Sequence, residues 1–210
     1  MIDWFRKKTW AKDDEEHFFT KLSRARKNGR PQYLKIQAIE LLYTKDNKLL
    51  NIAKELLQKV LDDYPDNNLE KSSVYKTFGD IFLLEKNLEK AIEYYRKAID
   101  FEKVYPNVKT NSDIIYSKLI IKNQLTNEYF NVEKILEEKI SGLLFPIDKY
   151  KVFSMLAILN YYNSNIQTAK EYALLANENA QAETSGLSYH KHLGIVSERD
   201  DFFDRIINKL

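Results

Sequence analysis

Apolar residues recur with the period of an α-helix through most of the chain. Leu88, Ala91, Ile92, Tyr95, Ala98 and Ile99 fall at i, i+3, i+4, i+7, i+10 and i+11 and form one continuous stripe. Val74, Tyr75, Phe78, Ile81 and Phe82 keep the same rhythm just before, and polar Glu85-Lys86-Asn87 separates the two stripes. The pattern predicts a helix, a tight turn and a second helix of similar length.

The same plan repeats along the chain. Phe153, Leu156, Ala157, Ala169 and Ala176 form a second such pair, with Asn163-Ser164-Asn165 as its turn. A third pair reads from Tyr33, Ile36 and Ile39 to Ala53, Leu57 and Val60. A fourth lies between Tyr116 and Pro146, with Val132 and Leu136 on its second helix and Lys139 at an expected small-residue position. Tyr64-Pro65, Tyr105-Pro106 and Phe145-Pro146 recur at intervals of about 40 residues, a period that marks helical repeat arrays. Proline cannot continue a helix, so each pair is expected to close one unit.

The best pair resembles the tetratricopeptide (TPR) family. That family places an aromatic, a Leu-Gly pair and a Tyr on its first helix, then Ala, an aromatic and Ala on its second. Here Tyr75, Phe78-Gly79, Phe82, Ala91, Tyr95 and Ala98 hold those places, and Pro106 ends the unit. Gly79 and Ala91 are expected at the closest approach of the two helices. In the second pair Ala173 departs from the family's bulky aromatic, and neighbouring Tyr172 can compensate. The period exceeds the family's roughly 34 residues, which implies longer helices or connections, with Asp46-Asn47 and Thr126-Asn127 as candidates.

The resemblance implies an all-α fold of stacked helical hairpins forming a right-handed TPR-like superhelix. Residues 32–180 would hold about four helix pairs, with capping segments at 1–31 and 181–210, because repeat arrays need atypical ends. Asp13 to Lys27 can form an amphipathic helix carrying Phe18, Phe19 and Leu22, stopped by Asn28-Gly29-Arg30-Pro31. Asp200 to Leu210 can form another, with Phe202, Phe203, Ile206 and Ile207 on one side. Trp4 and Trp10 are expected to pack either on the first repeat or on a second subunit.

Composition narrows the functional classes. With 33 Lys and Arg against 31 Asp and Glu, nothing pulls the chain as a whole toward nucleic acid or an anionic membrane. No cysteine is present, which excludes disulfides and thiolate metal sites. Five glycines and four prolines suit long helices with short connections. No signal-like apolar run follows Met1-Ile2-Asp3-Trp4-Phe5, and no stretch nears the roughly 18 apolar residues of a membrane span, so a cytoplasmic location is expected.

Catalytic chemistry has little to work with. There is no phosphate-binding glycine loop, nucleophile elbow or His-Glu-x-x-His motif. His17 follows Asp13-Asp14-Glu15-Glu16, a run that suits the first turn of a helix. His190 and His192 could begin a metal site, but no third ligand is nominated. On a continuing helix Arg24 would share a face with Lys27, and Arg26 with Arg30; after the acidic run this reads as a solvated face.

The expectation is therefore a non-catalytic interaction module without cofactor or metal. It would be an adaptor, scaffold or stoichiometric inhibitor, such as a toxin-immunity protein, binding a protein or peptide. The resemblance assigns the partner to a concave groove faced by Lys76, Asp80, Leu83, Ser117, Ile121, Ser154, Ile158 and Tyr161. It does not extend to binding chaperone tails, because Asp80 stands where an asparagine would hold a terminal carboxylate. The alternative is an enzyme or metal- or ligand-binding protein with a site near His190 and His192.

Overall fold

A computed structural model describes residues 3–210. Among these residues there are ten α-helices and no strand. They form two compact units, Met1–Ser112 and Asp113–Leu210.

The first unit contains α1 (Lys12–Arg24), α2 (Arg30–Leu42), α3 (Asn47–Asp63), α4 (Lys71–Leu84) and α5 (Leu88–Val104). α2 pairs with α3 and α4 with α5, and the two hairpins meet through α3 and α4. The expected stripe on α5 buries Ala91, Tyr95, Ala98 and Ile99, opposite Val74, Phe78, Gly79, Ile81 and Phe82 of α4. On α2 the buried face is Leu34, Gln37, Ala38 and Leu41, while Tyr33, Ile36 and Ile39 are only half-buried. The expected stripe there lay one position out of register, because buried Gln37 reads as polar in the sequence. Gln37 is satisfied by the backbone of Lys7, accepting from its N–H at 3.0 Å and donating to its carbonyl at 2.7 Å.

That contact holds residues before α1 against α2. Trp4 packs on Phe18 and Tyr33 at 5.4 and 4.9 Å between ring centroids, and Trp10 packs on Phe18 at 5.3 Å. Trp4 thus reaches the first hairpin through Tyr33, Trp10 packs on α1 alone, and both rings are half-buried. Helix α1 ends at Arg24 rather than Lys27, since Ala25 and Arg26 are extended. Arg30 then turns back on the end of α1, donating to the carbonyls of Ser23 and Ala25 at 2.7 and 3.1 Å. The shared basic faces expected on a longer α1 therefore do not form.

The second unit contains α6 (Ser112–Lys122, entering from the boundary), α7 (Tyr129–Ile140), α8 (Pro146–Tyr162), α9 (Ile166–Ala180) and α10 (Asp201–Ile207). Lys139 near the end of α7 pairs with Asp113 at the start of α6, as in an antiparallel hairpin. Helix α8 packs against α7, α9 and α10. Being covered on several sides, it is buried almost all round from Val152 to Asn160, so a single stripe was never its pattern. Tyr172 stacks on Phe153 at 6.0 Å between ring centroids, next to buried Ala173.

Pro65 and Pro106 do follow the ends of α3 and α5, but Pro146 opens α8. Proline suits a first helical turn, where its missing N–H has no partner to lose. The length beyond a usual repeat lies in α3 and α5, each 17 residues, and in segments 64–70 and 105–111. Asp46-Asn47 instead belongs to a tight turn, with Asp46 capping α3 through the amides of Lys48 and Leu49. Thr126-Asn127 lies in a 3₁₀ turn.

A single turn design recurs in both units. The helix pairs α2–α3, α4–α5, α6–α7 and α8–α9 each turn through one left-handed residue that is not glycine: Lys45, Lys86, Gln124 and Ser164, with φ of 58°, 59°, 53° and 63°. At three of them the next residue bonds back across the helix end: Asn87 to Phe82, Leu125 to Ile120 and Asn165 to Asn160. This is the Schellman closure of a helix. No helix is long and apolar enough to cross a membrane among the described residues.

Candidate functional site

In the first unit, three of the expected partner-facing residues lie on one helix, α4. Lys76 pairs with Asp80 at 2.6 Å, and the Tyr95 hydroxyl donates to the other Asp80 oxygen at 2.8 Å. The α5 ring thereby reaches across the hairpin and occupies the carboxylate. Burial, then the Asp80 charge, push the Tyr95 hydroxyl well above the usual tyrosine range. Leu83, 38% exposed, and Leu84 lie at the open end of α4.

In the second unit the expected set divides by burial. Ser117 and Ile121 of α6, and Ser154 and Ile158 of α8, are buried within the chain, whereas Tyr161 at the end of α8 is 51% exposed. The Ser117 and Ser154 hydroxyls have no hydrogen-bond partner. Tyr161, Tyr162 and Ile166 form an exposed apolar end around the α8–α9 turn. Tyr162 sits edge-on to Tyr129 at 4.9 Å, which joins this end to the start of α7. Beside it Glu133 accepts from Asn160 at 3.0 Å and Asn163 at 3.4 Å. Burial and neighbouring Glu137 raise the Glu133 carboxyl above its ordinary value, against the lowering bond from Asn160.

A polar cluster at the foot of α10 was not legible in the sequence. Asp200 caps α10 by accepting from the Phe202 amide at 3.1 Å, and it takes Lys118 of α6 as ion-pair partner. The Tyr150 hydroxyl accepts from the Asp200 amide at 2.9 Å and donates to Asp204 at 2.8 Å. Arg199 grips Asp204 with two nitrogens at 2.6 and 2.9 Å, and also bonds Asn177 of α9. Burial opposes ionisation of Asp200, but Lys118 outweighs it and holds the carboxyl below its usual value. Burial, with Asp204 adding to it, pushes the Tyr150 hydroxyl up to about 12. These residues come from α6, α8, α9 and α10, too far apart in sequence for any spacing to reveal them. Only the Asp200 cap had a local signal, a short acidic residue before an amphipathic run.

Beside this cluster lies an open cleft of about 430 Å³. Lys122, Lys151, Arg205 and Phe202 line it, together with Glu198 and Asp201. The histidines are elsewhere: His17 is exposed on α1, and His190 and His192 are exposed in the segment before α10. Among the described residues, no three His, Cys, Asp or Glu side chains are grouped to hold a metal ion.

No family model matches the chain, and no curated protein or solved structure is significantly similar to it.

Proposed function

We propose that this chain is a non-catalytic protein-interaction module of the cytoplasm. It acts as an adaptor, a scaffold or a stoichiometric inhibitor such as a toxin-immunity protein. The proposal takes the hairpins as TPR-like turns of a right-handed superhelix whose concave groove receives the partner. The observation that carries it is an exposed apolar patch at the end of a first helix in each unit: Leu83 and Leu84 on α4 in the first, and Tyr161 and Tyr162 on α8, with Ile166, in the second. Leucine and tyrosine left in water are candidates for burial against another protein. Ser117, Ile121, Ser154 and Ile158 are buried and so do not face a partner, while Lys76 and Asp80 are paired with each other on α4.

Affinity purification at native expression, with mass spectrometry, tests the reading. One dominant co-purifying protein at near-equal stoichiometry, lost in Leu83→Ala or Tyr161→Ala, is the expected result. A partner retained by both variants would move the interface off these helices. Stoichiometric zinc or iron in a preparation without any partner would favour a metal site near His190 and His192 instead.

A further inference from the structure

The cleft beside α10 brings together three cations from three helices: Lys122 from α6, Lys151 from α8 and Arg205 from α10. The other charges of the cluster are already committed. Arg199 is held by Asp204 and Asn177, and Asp200 is taken by Lys118 and by the α10 amide. Lys122 and Lys151 have no ion-pair partner among the described residues, and Arg205 donates only to the Asp201 carbonyl, at 3.2 Å. Half-buried Phe202 supplies apolar surface in the same hollow.

We propose that this cleft binds an acidic polypeptide segment, its carboxylates paired with Lys122, Lys151 and Arg205 and an apolar side chain set against Phe202. This adds a charge-reading contact to the apolar surface proposed above, and it rests on the reading of the chain as a protein-binding module. The form of the anion follows from what the cleft lacks. A compact phosphate favours convergent backbone amides, but the Asp200 carboxylate already occupies the start of α10. Glu198 and Asp201 also stand in the wall, where they repel any anion and a dense dianion more than single carboxylates spaced apart. Cations spread over three helices, with acids in the same wall, suit carboxylates spaced along an extended chain. Such pairs sit near water, so they steer and select more than they hold, and salt weakens them.

Titration of the full chain with a labelled hexaglutamate peptide, a hexalysine peptide and inorganic pyrophosphate tests this. Hexaglutamate is expected to bind with a Kd below about 1 mM and to weaken as NaCl is raised. Lys122→Glu with Lys151→Glu should weaken it more than about tenfold, and Glu198→Gln should tighten it. Lys122→Gln with Lys151→Gln, checked for an unchanged melting curve, separates lost charge from lost folding. Hexaglutamate reads the cleft alone and the affinity purification reads the apolar patches, so failure of the one and failure of the other can be told apart. Absence of hexaglutamate binding, equal binding of hexalysine, tighter binding of pyrophosphate, or no effect of the lysine variants would each overturn the proposal.

Discussion

The ring of Tyr95 on α5 lies against the bare backbone of Gly79 on α4. A Cβ built on Gly79 would stand 2.7 Å from the Tyr95 ring, inside any real contact distance. Glycine is required here by close approach and not by backbone shape, since Gly79 is helical. At the expected close approach of the two helices, the atoms nearest Gly79 are those of the Tyr95 ring. Gly79→Leu should cost roughly 1–3 kcal/mol through overpacking, read as a lower urea midpoint. Gly29→Leu is the control, because a Cβ there meets only the Tyr33 ring at an ordinary 3.4 Å. An unchanged midpoint for Gly79→Leu would refute the packing of this hairpin.

Tyr95→Phe keeps the ring and removes the bond to Asp80. Its cost at neutral pH should be about 1 kcal/mol, since Asp80 retains Lys76. The pH dependence separates the hydroxyl from the ring. A hydroxyl whose folded pKa is raised stabilises the fold fully below the unfolded value near 10, and that stability is lost as pH rises through and beyond it. Denaturation measured between pH 8 and pH 11 should therefore show a shallower alkaline loss in Tyr95→Phe than in the wild type. Parallel curves would contradict the assignment.

Gly194 ties the long segment before α10 to α8. Its φ is +72°, a Cβ on it would lie 2.6 Å from the Phe145 side chain, and its carbonyl accepts the Ile147 amide at 2.8 Å. Gly194→Ala meets both a conformational and a steric penalty, about 1–3 kcal/mol together. Hydrogen exchange should show faster exchange at Ile147 in this variant, while Gly186→Ala, with open space around it, should leave that amide protected. Retained protection of Ile147 in Gly194→Ala would show that the segment is anchored elsewhere.

Asp200 joins two roles that substitution can divide. Asn caps a helix about as well as Asp, so Asp200→Asn removes chiefly the charge paired with Lys118. Because the folded carboxyl is held below its ordinary value, its stabilisation is present above pH 4 and lost as pH falls through the folded value. Asp200→Asn should cost up to about 1 kcal/mol at pH 7, and the difference from the wild type should shrink as pH falls below the ordinary carboxylate value. Asp200→Ala should cost about 1 kcal/mol more through the lost cap. A difference that persists unchanged at pH 3 would assign the effect to something other than charge.

The legible residues were those whose pattern is local. The stripe from Ala91 to Ile99, the small residues Ala169 and Ala176, and the turn at Asn163-Ser164-Asn165 all stand where the period put them. The turns at Lys86 and Ser164 were expected, but the left-handed conformation of Lys45, Lys86, Gln124 and Ser164 was not, because none of them is glycine. Gln37 misled the register of α2, since its partner is a backbone thirty residues away. Among the expected partner-facing residues, Leu83 and Tyr161 are exposed, but nothing local distinguishes them from buried Ser117, Ile121, Ser154 and Ile158. Burial depends on which other helices cover a face.

The sequence by itself determined that this chain is helical and paired into hairpins. Helix formation needs only the spacing of apolar side chains, caps and breakers within a dozen residues, and those are written in order along the chain. Tertiary structure alone decided that Tyr95 rests on Gly79 and bonds Asp80, that Tyr150 joins Asp200 to Asp204, and that Lys122, Lys151 and Arg205 share one cleft. Such meetings depend on how helices pack side by side, which many side chains fix together and no single spacing records.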